Sequence, residues 1–228
     1  MKKQIPVIVM SFLLLVIGLG GCIQEIAGKT DSDGDGVSDS SDAFPYDPEE
    51  TKDSDGDGIG DNADIDDDND GYKDVEDYMP YENAKIKIVI EAFKVIDFVD
   101  FGTTQYNAQV YFEIYIDDNK VAQAPSEGQF WDIDVGKLTT VNWQYTYDIP
   151  DNVLTHTVSI RMYDADELFN DQLDIDGHDD TRGCTVSYNI VTGEWTGDDS
   201  DGITDGSDDG TQTTDDDDAY LEYSITTV

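Results

Sequence analysis

The chain has 228 residues, and 53 Asp and Glu against 12 Lys and Arg give it a formal net charge of −41. A field of this sign disfavours a nucleic-acid partner, and it disfavours binding to an anionic membrane surface unless cations intervene. The length allows one ordinary domain and a shorter segment. Most of the 13 Tyr and 8 Phe lie beyond residue 84, which is where a core is expected. An acidic excess of this size is also compatible with a high-salt habitat.

Residues 1–22 have the features of an export signal. Lys2 and Lys3 precede an apolar run over residues 5–19, and small residues follow. The ending Leu19-Gly20-Gly21-Cys22 resembles the lipobox of prokaryotic lipoproteins, which implies that Cys22 is lipidated and that its acyl or alkyl chains hold the protein at the membrane. The alternative is an uncleaved anchor helix, because the run is close to the length of a bilayer span. Both alternatives predict an extracytoplasmic, membrane-anchored protein.

Residues 23–30 form a short tether, and residues 31–80 then repeat the pattern D-x-D-x-D-G-x-x-D-x-x-D three times. Alternate carboxylates followed by a glycine that can take a positive φ bring several oxygens to one hard cation, as in the Ca²⁺ loop of an EF-hand. The pattern therefore predicts calcium ligands in each copy. They are Asp31, Asp33, Asp35, Asp39 and Asp42 in the first, Asp53, Asp55, Asp57, Asp61 and Asp64 in the second, and Asp66, Asp68, Asp70, Asp74 and Asp77 in the third.

Repulsion within these loops makes a cation part of the predicted structure. Two carboxylates about 4 Å apart repel by roughly 4 kcal/mol at an effective dielectric constant of about 20, so the metal-free segment is expected to be a solvated acidic linker. No His or Cys lies between Asp31 and Asp77, and oxygen-only ligands favour Ca²⁺ over Zn²⁺ or copper. The few apolar residues cannot form a core of their own, so folding and metal binding are expected to be one event.

The loops differ from an EF-hand, which closes with a Glu and is flanked by helices, because each copy here ends in Asp. The motif and its uneven spacing, longer between the first two copies than between the last two, resemble thrombospondin type 3 repeats. In that family the repeats wrap a string of Ca²⁺ ions with little regular secondary structure, and the resemblance implies the same for residues 31–80. Ser41 and the pair Asn62 and Ala63 stand about where that family has cysteines, so metal is the expected crosslink.

From residue 84 the hydrophobic pattern takes the period of two that is typical of half-buried strands. Strands are expected at residues 86–90, 110–116, 130–135, 138–147, 155–163, 185–191 and 220–227. With turn signals between them and no helical period, they predict a mainly β fold, an antiparallel β-sandwich over residues 84–228. The acidic spans 174–182 and 197–218 are expected to be solvated loops.

One passage of the predicted sandwich carries a more specific pattern. An aromatic strand leads to Pro150, and an apolar strand then ends in Tyr163-Asp164-Ala165-Asp166, with Asp171 a few residues on. Asp164 and Asp166 lie on the same side of an extended backbone and can share a cation, although an ordinary acidic β-turn is the alternative. The passage resembles the C2 domain, a Ca²⁺-dependent lipid-binding β-sandwich. This implies that Asp164, Asp166 and Asp171 belong to a calcium loop and that Asp100 belongs to another, where Asn107 replaces a further carboxylate.

The sequence gives no indication of catalysis. It contains no nucleophile with a base, no metal-binding His pair and no phosphate-cradling glycine loop; His156 is expected in a strand, His178 in an acidic loop, and Cys184 as a buried small residue. We therefore predict a calcium-binding protein that is not an enzyme, in which a calcium-rigidified spacer presents a β-sandwich binding domain. The alternative is a cell-surface adhesion or envelope-assembly protein whose sandwich binds a protein or glycan, with calcium purely structural.

Overall fold

The computed structural model describes residues 30–96, 107–165, 170–176, 182–199, 201–206 and 217–228. The chain divides into two compact units, one ending at Asp67 and the other running from Asp68 to Val228. The expected signal, the lipidation site Cys22 and nearly all of the tether lie outside the described residues. Among the residues that are described, no helix has the length and apolarity that a bilayer crossing needs.

The first unit is built from turns. Over its described residues, 30–67, it has neither a strand nor a helix. Backbone hydrogen bonds close successive loops, from Asp39 N–H to the Thr30 carbonyl at 2.8 Å and from Asp61 N–H to the Lys52 carbonyl at 3.1 Å. The side chain of Ile65 is 66% exposed, so apolar burial contributes little to this unit.

The second unit is nearly all β, and its strand pairings are antiparallel. The strands in the described residues are β1 (Lys85–Val95), β2 (Asn107–Ile116), β3 (Asn119–Ala124), β4 (Trp131–Asp134), β5 (Thr139–Asp148), β6 (Thr155–Asp164), β7 (Asp171–Leu173), β8 (Cys184–Asn189), β9 (Trp195–Gly197), β10 (Ile203–Asp205) and β11 (Ala219–Thr227). One sheet has the order β10-β11-β1-β5. The other has the order β3-β2-β6-β8-β9, with β4 paired to β2 and β7 paired to β6.

Alternation of apolar and polar residues places one face of each main strand in a shared core. In β6, His156, Val158, Ile160 and Met162 are all buried, as the sequence predicted. The two sheets meet through Phe93 of β1 and Phe112 of β2, whose ring centroids lie 5.1 Å apart in an edge-to-face arrangement. One buried apolar cluster therefore contains residues of both sheets, which confirms the mainly β, antiparallel fold and is consistent with a β-sandwich.

A β-bulge interrupts the middle of the four-stranded sheet. The register of β1 shifts between Ile90 and Ala92 against both of its neighbours. On the edge strand β5, Asn142 lies at this point with a φ of 48°, a left-handed conformation that Asn tolerates better than most residues. Beyond the shift, Phe93 and Val95 are buried, so β1 extends past the predicted end at residue 90.

The structure corrects the expectation that the acidic spans are solvated throughout. Asp174 and Asp176 are 7% and 0% exposed, and they flank the buried Ile175. Within residues 197–218, β10 pairs with β11. The acidic composition was misleading because an aspartate can be buried when a backbone N–H group bonds to it: Asp174 Oδ1 accepts a hydrogen bond from Asp176 N–H at 2.9 Å.

His156 and Cys184 lie in the core, as expected. His156 is fully buried, and its Nδ1 lies 2.6 Å from Oδ2 of Asp117. Cys184 is buried at the start of β8, where burial raises the pKa of its thiol to about 12.

Replacing Phe93 by Ala should lower the free energy of unfolding by about 3–5 kcal/mol, because it removes a ring that contacts both Phe112 and Trp131 and leaves a cavity. Phe130→Ala is the control, since that side chain is 42% exposed, and it should cost about 0.5 kcal/mol or less. Urea unfolding followed by tryptophan fluorescence, with calcium in excess, measures both. Equal losses in the two variants would contradict the position of Phe93 in the core.

Candidate calcium sites

The first two copies of the acidic pattern fold into the same loop. The leading carboxylate, Asp31, accepts hydrogen bonds from the N–H groups of Gly34 and Gly36, at 2.7 and 3.2 Å. Asp53 repeats both bonds in the second copy, at 2.8 and 3.1 Å. The glycines have φ angles of 84° and 104° in the first loop, a region that residues with a side chain rarely adopt. The loop therefore depends on glycine at these positions.

At the third and fifth positions of the loop, one oxygen of each carboxylate accepts a hydrogen bond from the backbone N–H two residues further along the chain. Asp33 Oδ1 accepts from Asp35 N–H at 3.2 Å, and Asp35 Oδ1 accepts from Val37 N–H at 2.7 Å. The Oδ2 atoms of Asp33 and Asp35 are buried, and no described residue donates a hydrogen bond to them. Buried carboxylate oxygens without a donor are positions that a cation would satisfy.

Three carboxylates converge in each of these loops. One oxygen from each member lies within 4.8 Å of the oxygens of the others. A Ca²⁺ ion binds oxygen at about 2.3–2.6 Å, so two ligands on opposite sides of one ion are separated by about 4.6–5.2 Å. Each set can therefore contact a single ion, and its donors are the oxygens that Ca²⁺ prefers. We call these sets the carboxylate trios; they are Asp31, Asp33 and Asp35, and Asp53, Asp55 and Asp57.

The carboxylate at the ninth position of each loop does not join its trio. Asp39 accepts hydrogen bonds from the backbone N–H and the hydroxyl of Ser32, at 2.8 and 2.9 Å. Asp61 does the same with Ser54, at 2.9 and 3.0 Å. In this structure Asp39 and Asp61 therefore close their loops through hydrogen bonds.

The carboxylates at the twelfth position of these loops also lie outside the trios. Asp42 Oδ1 accepts from Phe44 N–H at 2.8 Å, and Asp64 Oδ1 accepts from the N–H groups of Ile65 and Asp66, at 2.7 and 3.2 Å. Each begins the turn that leads out of its loop.

The boundary between the compact units falls inside the third copy, because Asp66 belongs to the first unit and Asp68 to the second. The local hydrogen bonds are those of the earlier loops: Asp68 Oδ1 accepts from Asp70 N–H at 3.1 Å, and Asp70 Oδ1 accepts from Tyr72 N–H at 2.7 Å. Asp74 is half-buried and belongs to no group of converging carboxylates among the described residues.

In the second unit, four carboxylates converge, each offering an oxygen within 4.8 Å of the others. They are Asp68, Asp70, Asp77 and Asp151, and we call them the four-carboxylate cluster. Asp151 lies in the turn between β5 and β6 and was not among the ligands predicted from the sequence. Burial and the adjacent Asp70 carboxylate raise the pKa of Asp151 to about 7. Nothing in the spacing of residues along the sequence relates Asp151, after Pro150, to a repeat that ends at Asp77. Only the folded structure shows that the two are close together.

Asp164 and Asp171, from the C2-like passage, are brought together. They are directly opposite each other on β6 and β7. Asp164 is 3% exposed, and its Oδ1 accepts a hydrogen bond from Gln109 N–H at 2.6 Å. Asp100 and Asp166 lie outside the described residues, and Asn107 is exposed at the start of β2.

A turn within the acidic span 197–218 repeats part of the loop geometry. Asp199 Oδ1 accepts from Asp201 N–H at 2.8 Å, and Asp201 Oδ1 accepts from Ile203 N–H at 3.2 Å. Gly202 has a φ of 83°, as the loop glycines do. Among the described residues this turn does not bring three carboxylates together. The letters D-x-D-G at residues 199–202 are the signal that would have indicated it.

The solved structures that resemble this chain include C2 domains. The first C2 domain, domain A, of a plant Extended Synaptotagmin 1 matches with a TM-score of 0.38 and 9% identity, covering 64% of this chain and 94% of that one. Human GIVD cytosolic phospholipase A2 matches with a TM-score of 0.34 and 10% identity, covering 63% of this chain and 16% of that one. The calcium-bound pair of C2 domains of Extended-Synaptotagmin 2, domains A and B, matches with a TM-score of 0.34 and 8% identity, covering 64% of this chain and 45% of that one. Neither a protein-family model nor a curated protein matches the chain. At TM-scores below 0.5, these structural similarities establish neither a family nor an activity for it.

Proposed function

We propose that this protein is an extracytoplasmic, membrane-anchored calcium-binding protein, and that its acidic repeats form a calcium-rigidified spacer that presents a β-sandwich binding domain. The observation that carries the proposal is the pair of carboxylate trios, in which the same hydrogen bonds and glycine conformations recur in two loops. A solvated acidic linker would not be expected to show the same hydrogen bonds and glycine conformations in two loops.

Electrostatics explain how calcium would rigidify the spacer. Each trio holds three negative charges at separations at which repulsion amounts to several kcal/mol, by the estimate of about 4 kcal/mol per pair. A divalent cation bound between the three carboxylates would replace this net repulsion with a net attraction. Because the first unit has no strand or helix over residues 30–67 and little apolar burial, ion binding is its main source of order.

The location follows from the N-terminal sequence. We assign Cys22 as the lipidated residue, with an uncleaved helix over residues 5–19 as the alternative anchor. Extracellular calcium modules bind in the range of about 10⁻⁴–10⁻³ M, and we place the repeats in this range. The protein acts by binding, and we assign it no reaction.

A second candidate function is adhesion or envelope assembly, with calcium purely structural. Two half-buried aromatic side chains on the seven-stranded sheet favour it: Tyr163 stacks at 5.0 Å on the buried Tyr111, and the ring centroid of Tyr115 lies 4.3 Å from the guanidinium of the exposed Arg161. Stacked aromatic rings beside a cationic group suit a protein or glycan ligand. Co-sedimentation with insoluble polysaccharides discriminates between the functions, since calcium-independent binding that Tyr163→Ala abolishes would favour adhesion.

Chelation of calcium should unfold residues 30–67 reversibly while the β-sandwich remains folded, because the repeats lack a core and the sandwich has one. Limited proteolysis with and without a chelator, followed by mass spectrometry of the fragments, tests this. New cleavage is expected only within the repeats, and it should disappear when calcium is restored. A cleavage pattern that does not respond to the chelator would exclude a calcium-rigidified spacer.

Asp55→Asn should weaken calcium binding at the second loop by about tenfold or more, or ~1.4 kcal/mol, since it removes one of three converging charges. Asp118→Asn is the matched control. That aspartate is exposed in the β2–β3 turn, and its φ of 62° is one that Asn also adopts. Calorimetric titration of both variants gives the affinities. If Asp55→Asn, Asp118→Asn and the unmodified protein give the same titration curve, Asp55 is not a calcium ligand.

Cys22→Ala should release the protein from the membrane fraction, since the modified sulfur would be lost. Fractionation of cells followed by immunoblotting measures the distribution. Retention of the variant at the membrane would favour the uncleaved helix. A soluble unmodified protein would reject membrane anchoring of either kind.

A further inference from the structure

Asp151 is a buried carboxylate that the hydrogen bonds of the protein satisfy only in part. Its side chain is 0% exposed. Oδ2 accepts a hydrogen bond from the N–H of Ala84 at 3.2 Å, whereas no hydrogen bond from a described residue reaches the buried Oδ1. Ionised carboxylates are rarely buried without a counter-charge, because water solvates them much better than a protein interior does. The position therefore calls for a positive partner.

Other carboxylates surround Asp151, so packing against apolar side chains does not explain why it is buried. One of its oxygens lies within 4.8 Å of an oxygen from each of Asp68, Asp70 and Asp77, which are half-buried. Four carboxylates at these separations repel one another strongly, and the spacing matches ligands arranged around one Ca²⁺ ion. We propose that this four-carboxylate cluster binds one Ca²⁺ ion, and that the ion joins the third acidic loop to the β-sandwich. The inference rests on the proposed calcium binding by the repeats and extends it to a ligand from the sandwich.

The backbone holds Asp151 in place for this role. Its carbonyl accepts a hydrogen bond from Tyr78 N–H at 3.1 Å, just after Asp77. Ile149 N–H donates to the Ala84 carbonyl at 3.3 Å, so the turn after β5 is bonded to the segment that leads into β1. Backbone hydrogen bonds therefore tie the turn that carries Asp151 to the segments on either side of it. Such a ligand requires little ordering when the ion binds.

The number of carboxylates and the rigidity of the site together predict the order in which the calcium sites are occupied. Calcium affinity rises with the number of carboxylate ligands and with the rigidity of the site, and this cluster has four carboxylates where each trio has three. We expect it to be the tightest site of the chain and to fill first. Because the ion would contact the β5–β6 turn, its binding would also stabilise the sandwich.

The test uses the full chain with Asp151→Asn, and Asp118→Asn as the charge-matched control. The Asn carboxamide oxygen can still accept the hydrogen bond from Ala84, so the variant is designed to fold. Calorimetric titration with CaCl₂ should lose its tightest phase, or show that phase weakened by about tenfold or more, in Asp151→Asn only. Asp70→Asn, a second member of the cluster, should have the same effect and serves if the first variant fails to fold.

Melting of the sandwich provides a readout that a purely structural carboxylate would not give. In excess chelator, Asp151→Asn should melt at a higher temperature than the unmodified protein, because the variant removes buried repulsion. In excess calcium it should melt at a lower temperature, because it removes a ligand. This crossing is the expected signature of a metal ligand.

The outcomes separate this inference from the proposed function. If the unmodified protein shows no calcium binding, both are overturned. If it binds calcium and Asp151→Asn binds the same number of ions with the same affinities, only the cluster is overturned. A rise in melting temperature that is the same with chelator and with calcium would show that Asp151 is not a metal ligand, and it too would overturn the cluster.

Discussion

Repulsion between aspartates is the constraint on which the rest of this structure depends. In the first unit the loops bring three carboxylates within 4.8 Å of one another, and backbone N–H groups satisfy only part of their charge. Apolar burial cannot offset this repulsion, because the described residues of that unit have little of it. The calcium binding that we propose would supply the missing stability, and we therefore expect metal binding and folding of this segment to be one event.

Outside the four-carboxylate cluster, the second unit accommodates buried carboxylates in a different way. Its two sheets share a continuous apolar core, and that core tolerates several buried carboxylates whose oxygens accept backbone hydrogen bonds. Asp164, for instance, is anchored by Gln109 N–H at 2.6 Å and ends β6 beside β7. Two arrangements therefore coexist in one acidic chain: carboxylates that converge in loops, in both units, and single carboxylates at strand ends that accept backbone hydrogen bonds.

The sequence predicted the parts of the structure that depend on local patterns. Alternation located β5 and β6 and the faces that they bury, and the glycine at the sixth position of each acidic copy predicted the turn that the structure contains. The strands β3, β7, β9 and β10 were not predicted; β7, β9 and β10 have three residues each, which is too short to show a period. Asp151 was missed for a different reason, since its proximity to Asp77 depends on how the chain folds back and leaves no mark on the spacing of either residue.

The bulge in the four-stranded sheet has a consequence for how copies of this protein interact. β5 is an edge strand, and edge strands offer unpaired backbone groups on which another chain can add a strand. Asn142, in its left-handed conformation at the bulge, departs from the extended backbone in the middle of that edge and so interrupts the regular row of donors and acceptors. The outward side chains of β5, which are Thr140, Asn142, Gln144, Thr146 and Asp148, are polar or charged. The strand is thereby protected against intermolecular sheet extension and aggregation.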